Sequence, residues 1–133
     1  MDLRSIKPEP MPATTHQPTA DTGLHHALAL QSAGLIEVLR VTRLVRKAND
    51  VLRFVGVPGS SNSSVRGLEV SFVEGEAPAP GLDPVTGLIR LFYPQGERGE
   101  VERLLTSKRQ RFCYFWRSRN GDQRHAWLLT SPR

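Results

Sequence analysis

The chain of 133 residues contains a single cysteine, Cys113. One thiol can form neither an internal disulfide nor a metal site built from several cysteines. The sequence also lacks an apolar run long enough to cross a membrane as a helix, and its first residues lack the apolar core of a secretory signal. These absences predict a protein outside the membrane, and a cytoplasmic location is the expectation that follows.

Acidic residues are scarce relative to basic ones. The 18 Lys and Arg residues outnumber the 13 Asp and Glu residues, which gives a formal net charge of +5 at pH 7. The imbalance is local, because residues 98–133 hold nine basic side chains and three acidic ones (Glu100, Glu102 and Asp122). A basic surface favours anionic partners, so we expect nucleic acid or the surface of an acidic protein as the partner, and no membrane partner.

Composition divides the chain into two parts. Residues 1–20 are rich in Pro, Thr and polar residues and offer little apolar surface to bury, which predicts a disordered tail. Residues 21–133 are predicted to form a single domain that is long enough to enclose a hydrophobic core. Asp21 or Thr22 is expected to cap a short helix that runs to about Ser32.

The rest of the chain is dominated by segments that are typical of strands. Apolar and β-branched residues predict four strands before the C-terminal region, at residues 35–45, 51–57, 68–73 and 88–93. A short helix is expected over residues 98–107, with Val101, Leu104 and Leu105 on its inner side. The predicted fold class is α+β, with a mostly antiparallel sheet of about five or six strands and one or two short helices on one face. A small closed barrel decorated by helices is the alternative.

Three arginines recur every three residues in the first predicted strand, at Arg40, Arg43 and Arg46. On a helix this spacing would place all three on one side, whereas on a regular strand Arg43 would take the face opposite the other two. The β-branched residues around them favour the strand. The helix stays open as an alternative for residues 35–46, and the strand prediction divides the arginines between two faces.

The segment at residues 110–130, QRFCYFWRSRNGDQRHAWLLT, predicts a β-hairpin. Asn120-Gly121 between two apolar runs is the strongest short-range hairpin signal, and a two-residue turn there would pair Arg119 with Asp122. Farther from the turn, the same register pairs Arg117 with Arg124, Trp116 with His125, Tyr114 with Trp127, Cys113 with Leu128 and Phe112 with Leu129. Both faces of the hairpin are apolar over their length, so either the hairpin is a central pair of strands that is covered on both sides, or one face is exposed for binding.

This hairpin is the candidate binding surface. Aromatic faces accept nucleic-acid bases, and arginines neutralise phosphates. The predicted Arg117–Arg124 pair sets two like charges opposite each other, which destabilises a sheet unless solvent or a bound anion screens them. The candidate site for nucleic acid or another anion comprises Arg111, Tyr114, Trp116, Arg117, Arg119, Arg124, His125 and Trp127.

Patterns typical of catalytic or metal sites are weak. His25 and His26 are adjacent and cannot form the i, i+4 pair that binds zinc on a helix, and the loop at residues 58–64 lacks the Gly-Lys-Ser/Thr of a phosphate-binding loop. Cys113 is expected to be a buried, inert thiol. We therefore expect no cofactor and no metal, and a non-catalytic role is favoured over an enzyme.

Two functions of different classes remain on the sequence alone. The first is a small basic module that binds nucleic acid through the hairpin. It lacks the Lys/Arg-Gly-Phe run of the RNA-recognition sheet, so the expectation depends on generic stacking and charge. The second is a protein-interaction or assembly subunit, whose aromatic hairpin is core or docks on a protein, since aromatic and arginine residues also anchor protein interfaces. The oligomeric state is left open.

Overall fold

The computed structural model describes residues 34–131 and, for residues 4–6, the backbone alone. These residues form eight strands and one α-helix, which a turn of 3-10 helix at Gln95–Glu97 precedes. The helix α1 spans Arg98–Leu105 and lies between the sixth and seventh strands. The strands are β1 (Arg4–Ile6), β2 (Gly34–Lys47), β3 (Val51–Pro58), β4 (Gly67–Val73), β5 (Gly81–Asp83), β6 (Leu88–Pro94), β7 (Arg111–Ser118) and β8 (Arg124–Thr130).

The strands form a single sheet in the order β1-β8-β7-β2-β3-β4-β6-β5. The sheet curls into a half-barrel. Six of the strand pairs are antiparallel and the pair β4–β6 is parallel, so the prediction of a mostly antiparallel sheet is confirmed. The expected count of five or six strands is too low, because β1 and β5 have three residues each, and such short segments carry no periodic pattern.

The hydrophobic core lies on the inner face of the half-barrel, where α1 packs. Phe54 on β3, Leu68 on β4 and Phe115 on β7 are almost completely buried there. The helix contributes Val101, Leu104 and Leu105, as its sequence pattern predicts. The predicted helix at 98–107 ends slightly earlier, at Leu105, and Cys113 is fully buried as expected.

Strand β2 is shared between two neighbours. Residues 34–41 pair with β7, and residues 39–47 pair with β3. Residues 42–47, which we call the β2 extension, therefore continue beyond the last pair with β7, Val41–Arg111. The segment at 35–46 is thus a strand, which decides the alternative that the sequence left open.

The N-terminal predictions fall mostly outside the described residues. The helix expected from Asp21 or Thr22 to Ser32 lies there, as does most of the segment 1–20. Within that segment, Arg4–Ile6 pairs with the edge of β8, which differs from the tail prediction at these three positions. An edge strand offers unpaired backbone groups to any extended segment, so this pairing does not require the apolar pattern by which strands are predicted.

Candidate nucleic-acid interface

The β2 extension contains two irregularities that change which face its arginines occupy. The pairing with β3 shifts between Val41 and Arg43 and again between Leu44 and Arg46. One extra residue therefore lies at each shift, as in a β-bulge. The arginine partners on β3 are two residues apart, since Arg40 pairs with Val57, Arg43 with Val55 and Arg46 with Arg53.

Residues two apart on a strand point to the same face, so Arg40, Arg43 and Arg46 all lie on the outer face of the half-barrel. We call these three residues the arginine row. The expectation that Arg43 takes the opposite face is wrong, because it assumed a regular strand. Thr42, the extra residue at the first bulge, donates its hydroxyl to the carbonyl of Val55 at 3.0 Å, which ties the bulge to β3.

The outer face next to the row carries two more arginines. Glu69 on β4 forms ion pairs with both of its neighbours across the sheet, at 3.7 Å from Arg53 Nε and at 3.6 Å from Arg90 Nε. One carboxylate thus faces two guanidinium groups. The three side chains of the arginine row are exposed, and within residues 34–131 no carboxylate lies within ion-pair distance of them.

The aromatic part of the predicted site is mostly buried. The hairpin pairs Trp116 with His125 and Tyr114 with Trp127, as the sequence predicts. The rings of Trp116 and His125 stack at 5.2 Å with an interplanar angle of 5°. Trp116 is 4% exposed, His125 6% and Trp127 5%, so these three rings do not offer open faces to a ligand, whereas Tyr114 is partly exposed.

The loop of this hairpin differs from the predicted two-residue turn. Ser118 donates its amide to the carbonyl of Gln123, and Gly121 donates to the carbonyl of Ser118, which leaves a four-residue loop at 119–122. Asn120 Oδ1 holds the loop by accepting from Ser118 Oγ at 2.7 Å and from the Asp122 amide at 3.0 Å. This side chain favours the longer loop, so the Arg119–Asp122 pairing is wrong, and the register from Arg117–Arg124 onward is unaffected.

The four arginines of the predicted site lie in two environments. Arg117, Arg119 and Arg124 are exposed at the loop end of the hairpin, and the first and last of them share the face of the sheet opposite the arginine row. Arg111 instead donates to backbone carbonyls, through Nη2 to Thr42 at 3.0 Å and through Nη1 to Leu105 at the end of α1. Its guanidinium joins the start of the β2 extension to the helix, and burial lowers its pKa.

A shallow groove of about 350 Å³ separates the β2 extension from α1 on the inner side. Leu44, Leu52 and Phe54 provide apolar surface, and Glu102 and Arg103 lie at its helical side. Glu102 is already paired with Arg98 at 3.2 Å. The groove therefore holds no arrangement of free acids, bases or nucleophiles typical of a catalytic site.

Other site classes receive no support from the part of the chain that the structure describes. It contains no group of three His, Cys, Asp or Glu residues placed to hold a metal ion. No helix among the same residues is both long and apolar enough to cross a membrane. Comparisons with protein-family models, curated proteins and solved structures found no match to this chain.

The arginine row is the functional candidate that sequence reasoning missed. Its spacing of three is visible in the sequence, and the β-branched residues around it predict a strand. A repeat of three within a strand places charges on one face only when one residue is extruded in each interval. The combination of a three-residue charge repeat and strand composition is therefore the signal that points to bulges.

Proposed function

We propose that this protein is a non-catalytic binding module for nucleic acid, and that the arginine row forms the main contact with phosphates. One observation carries the proposal: two bulges bring three exposed arginines onto one face, away from carboxylate partners in the described chain. Like charges held side by side oppose folding. Such local conflicts with stability are typical of functional sites, and bulges often lie beside them.

The hairpin contributes less to this binding surface than the arginine row does. Trp116, His125 and Trp127 are buried, so in this conformation they act as packing beneath the surface and not as stacking platforms. Arg111 is held by carbonyl groups. The exposed hairpin arginines form a second basic patch. Arg117 and Arg124 lie on the opposite face of the sheet, so a ligand bound to the arginine row would not contact them.

A fluorescence-anisotropy titration with labelled oligonucleotides tests the proposal. Binding should weaken steeply between about 50 and 200 mM salt, because each neutralised phosphate releases condensed counterions. Arg43→Gln combined with Arg46→Gln should lower affinity and reduce the salt slope by about 0.7 for each lost contact with a single strand. Arg117→Gln combined with Arg124→Gln removes the same charge from the hairpin patch and serves as the matched control.

The outcomes separate the interpretations. If the folded protein binds no oligonucleotide at low salt, the proposed function is wrong. An equal loss in both double variants would mean that net charge, and not the arginine row, determines binding. A larger loss of affinity in the hairpin variant would indicate that the binding site lies at the loop end of the hairpin.

A protein-interaction subunit is the second candidate, and a specific observation favours it. Leu44, Val45 and Val57 are 38%, 42% and 40% exposed close to the arginine row. Apolar side chains beside arginines are typical of protein interfaces, and an acidic protein surface would complement the charge. If the protein binds no oligonucleotide but does bind a partner protein, weaker binding of that partner by the Val57→Ser variant would favour this candidate.

A further inference from the structure

We infer that the ligand is an extended single strand whose successive phosphates follow the arginine row along β2. This inference rests on the proposed function and specifies the form of the nucleic acid. The two bulges set the register on which the inference depends. From one arginine of the row to the next, the pairing partner on β3 changes by two residues.

The spacing of the row suits a chain of charges. A two-residue step along a strand is about 7 Å, so neighbouring arginines repeat at about that distance. An extended single strand presents its phosphates in a line at a similar separation. Without the bulges, Arg43 would lie on the inner side, and Arg40 and Arg46 would stand six residues, or about 20 Å, apart on the outer face. The phosphates between them would then lack a partner.

The shape of the sheet favours a single strand over a duplex. The core fills the inner side of the half-barrel, so the arginine row lies on the convex side. A duplex is itself a convex cylinder, and two convex surfaces touch over a small area. A flexible single strand can follow the curve and keep several phosphates in contact.

Aromatic side chains lie at one end of the row. Phe112 pairs with Arg40 across the sheet, and Tyr114 lies two residues farther along β7, on the same outer face. Both are partly exposed, and unpaired bases can stack on such rings whatever their sequence. β7 begins at Arg111, so no aromatic residue of this strand lies beside Arg43 or Arg46. The nucleic-acid strand would therefore stack bases on aromatic rings beside Arg40. Toward Arg46 only its phosphates would be bound, by the charges of the arginines.

Edge protection is a competing explanation for the same residues. Charged side chains and bulges both discourage an exposed edge from pairing with other chains. Arginines on either face would serve that purpose equally well. Edge protection therefore explains the charge and the bulges, but it does not explain why all three arginines share one face.

An exchange of neighbouring residues tests the geometry without changing composition. The variant R43L/L44R moves one guanidinium from the outer face to the inner face, where position 44 pairs with Phe54. The net charge and the composition stay the same. The variant R109Q/Q110R is the matched control, because it exchanges two exposed loop residues. Each protein is titrated with a single strand of about 15 nucleotides and with the duplex of the same sequence.

We expect the single strand to bind wild type at least about tenfold more tightly than the duplex. The R43L/L44R exchange should weaken single-strand binding about fivefold and lower the salt slope by about 0.7, whereas the control exchange should change neither. Tyr114→Leu should weaken binding at least about fivefold with an unchanged slope, since stacking releases no counterions.

Each result supports or overturns the inference. If wild type binds neither form, the proposed function itself fails. Duplex binding as tight as single-strand binding, or an exchange variant that binds like its control, would overturn the single-strand geometry while leaving nucleic-acid binding in place. Thermal melting checks the fold of each variant. If R43L/L44R does not fold, Arg43→Gln against Arg103→Gln, an exposed arginine on α1, gives the same comparison.

Discussion

The two halves of β2 obey different constraints. Residues 34–41 pair with β7 in an uninterrupted register, and residues such as Leu39 are buried in the core. The β2 extension pairs with β3 through two bulges, and all of its residues, 42–47, are exposed. The first half is fixed by what it buries, whereas the extension is free to be irregular.

The difference shows where this fold can carry function. A one-residue slip in a half-buried strand moves every apolar side chain to the wrong face, so residues 34–41 tolerate no bulge. The extension buries little, and an extruded residue there costs little core packing. It can therefore present three arginines on one face, and its order depends more on side-chain contacts than on burial.

The largest expected effect tests the claim that burial fixes the hairpin and not the extension. Phe115 is 1% exposed and pairs with Ala126 in the core. Phe115→Ala should lower the free energy of unfolding by about 3–5 kcal/mol, from lost transfer energy and the cavity. Leu44→Ala in the extension should cost about 1 kcal/mol or less. Urea denaturation measures both, and the milder Phe115→Leu replaces Phe115→Ala if that variant does not fold.

Equal costs for Phe115→Ala and Leu44→Ala would contradict the contrast between the core-facing hairpin and the β2 extension, because Leu44 would then be part of the core.

The second-largest expected effect is a loss of stability at alkaline pH, which arises from groups buried in the core. Burial raises the pKa of the Cys113 thiol and of the Tyr93 hydroxyl, so the folded protein retains both protons. The unfolded chain releases them near their ordinary pKa values of about 8.5 and 10. Their contribution to stability is complete below about pH 8.5 and falls by about 1.4 kcal/mol per pH unit and group as pH rises further.

Urea midpoints measured at about pH 8, 9 and 10 check this dependence. In Cys113→Ala most of the loss between about pH 9 and 10 should disappear, because the thiol that retains its proton is gone and only the smaller contribution of Tyr93 remains in this range. A loss of unchanged size in that variant would show that other groups cause the alkaline destabilisation.

The sequence predicts the elements of this fold that carry a periodic pattern. The six longer strands, α1 with its three buried residues and the hairpin register from Arg117–Arg124 outward all follow from apolar spacing and turn residues. β1 and β5 do not, because three-residue strands form through pairing with a neighbour. The parallel pairing of β4 with β6 depends on contacts between segments that no local pattern encodes.

The candidate site was less predictable for two physical reasons. Both faces of the hairpin are apolar, so the sequence could not decide that Trp116 and Trp127 are buried. The arginine spacing is visible in the sequence, but the face of Arg43 depends on residues extruded against β3, and the local sequence does not specify that pairing. The prediction for Arg43 requires a regular strand, and β2 is irregular in the part that buries the least apolar surface.

Gly121 tests the hairpin loop, where local conformation and not burial sets stability. Its φ is +79°, and a side chain there would meet open space. Gly121→Val should cost about 1–3 kcal/mol from backbone strain alone. Gly96→Val is the control, since Gly96 also faces open space but has no positive φ. A denaturation midpoint equal to that of the control would show that the loop relaxes to another conformation without cost.

The smallest expected effect sharpens the claim that side chains order the extension. Arg98 on α1 pairs with Asp50 at 3.5 Å and with Glu102 at 3.2 Å, donates to the Asn49 carbonyl, and lies 5.0 Å from the centre of the Phe72 ring. These contacts hold the turn that follows the extension. Because Arg98 is partly exposed, Arg98→Met should cost only about 1 kcal/mol of global stability.

The local effect of Arg98→Met should be larger than the global one. The Ala48 amide donates to the Val51 carbonyl within the turn, and the Phe72 amide donates to the Asp50 carbonyl. Native-state hydrogen exchange should accelerate at Ala48 and Phe72, while the Phe115 amide in the hairpin keeps its protection. Arg103→Met, an exposed change on the same helix, should leave all three rates unchanged. If the Ala48 amide exchanges no faster in Arg98→Met, the backbone hydrogen bonds of the turn are enough to order it. The β2 extension would then need the contacts of Arg98 no more than the half of β2 that faces the core does.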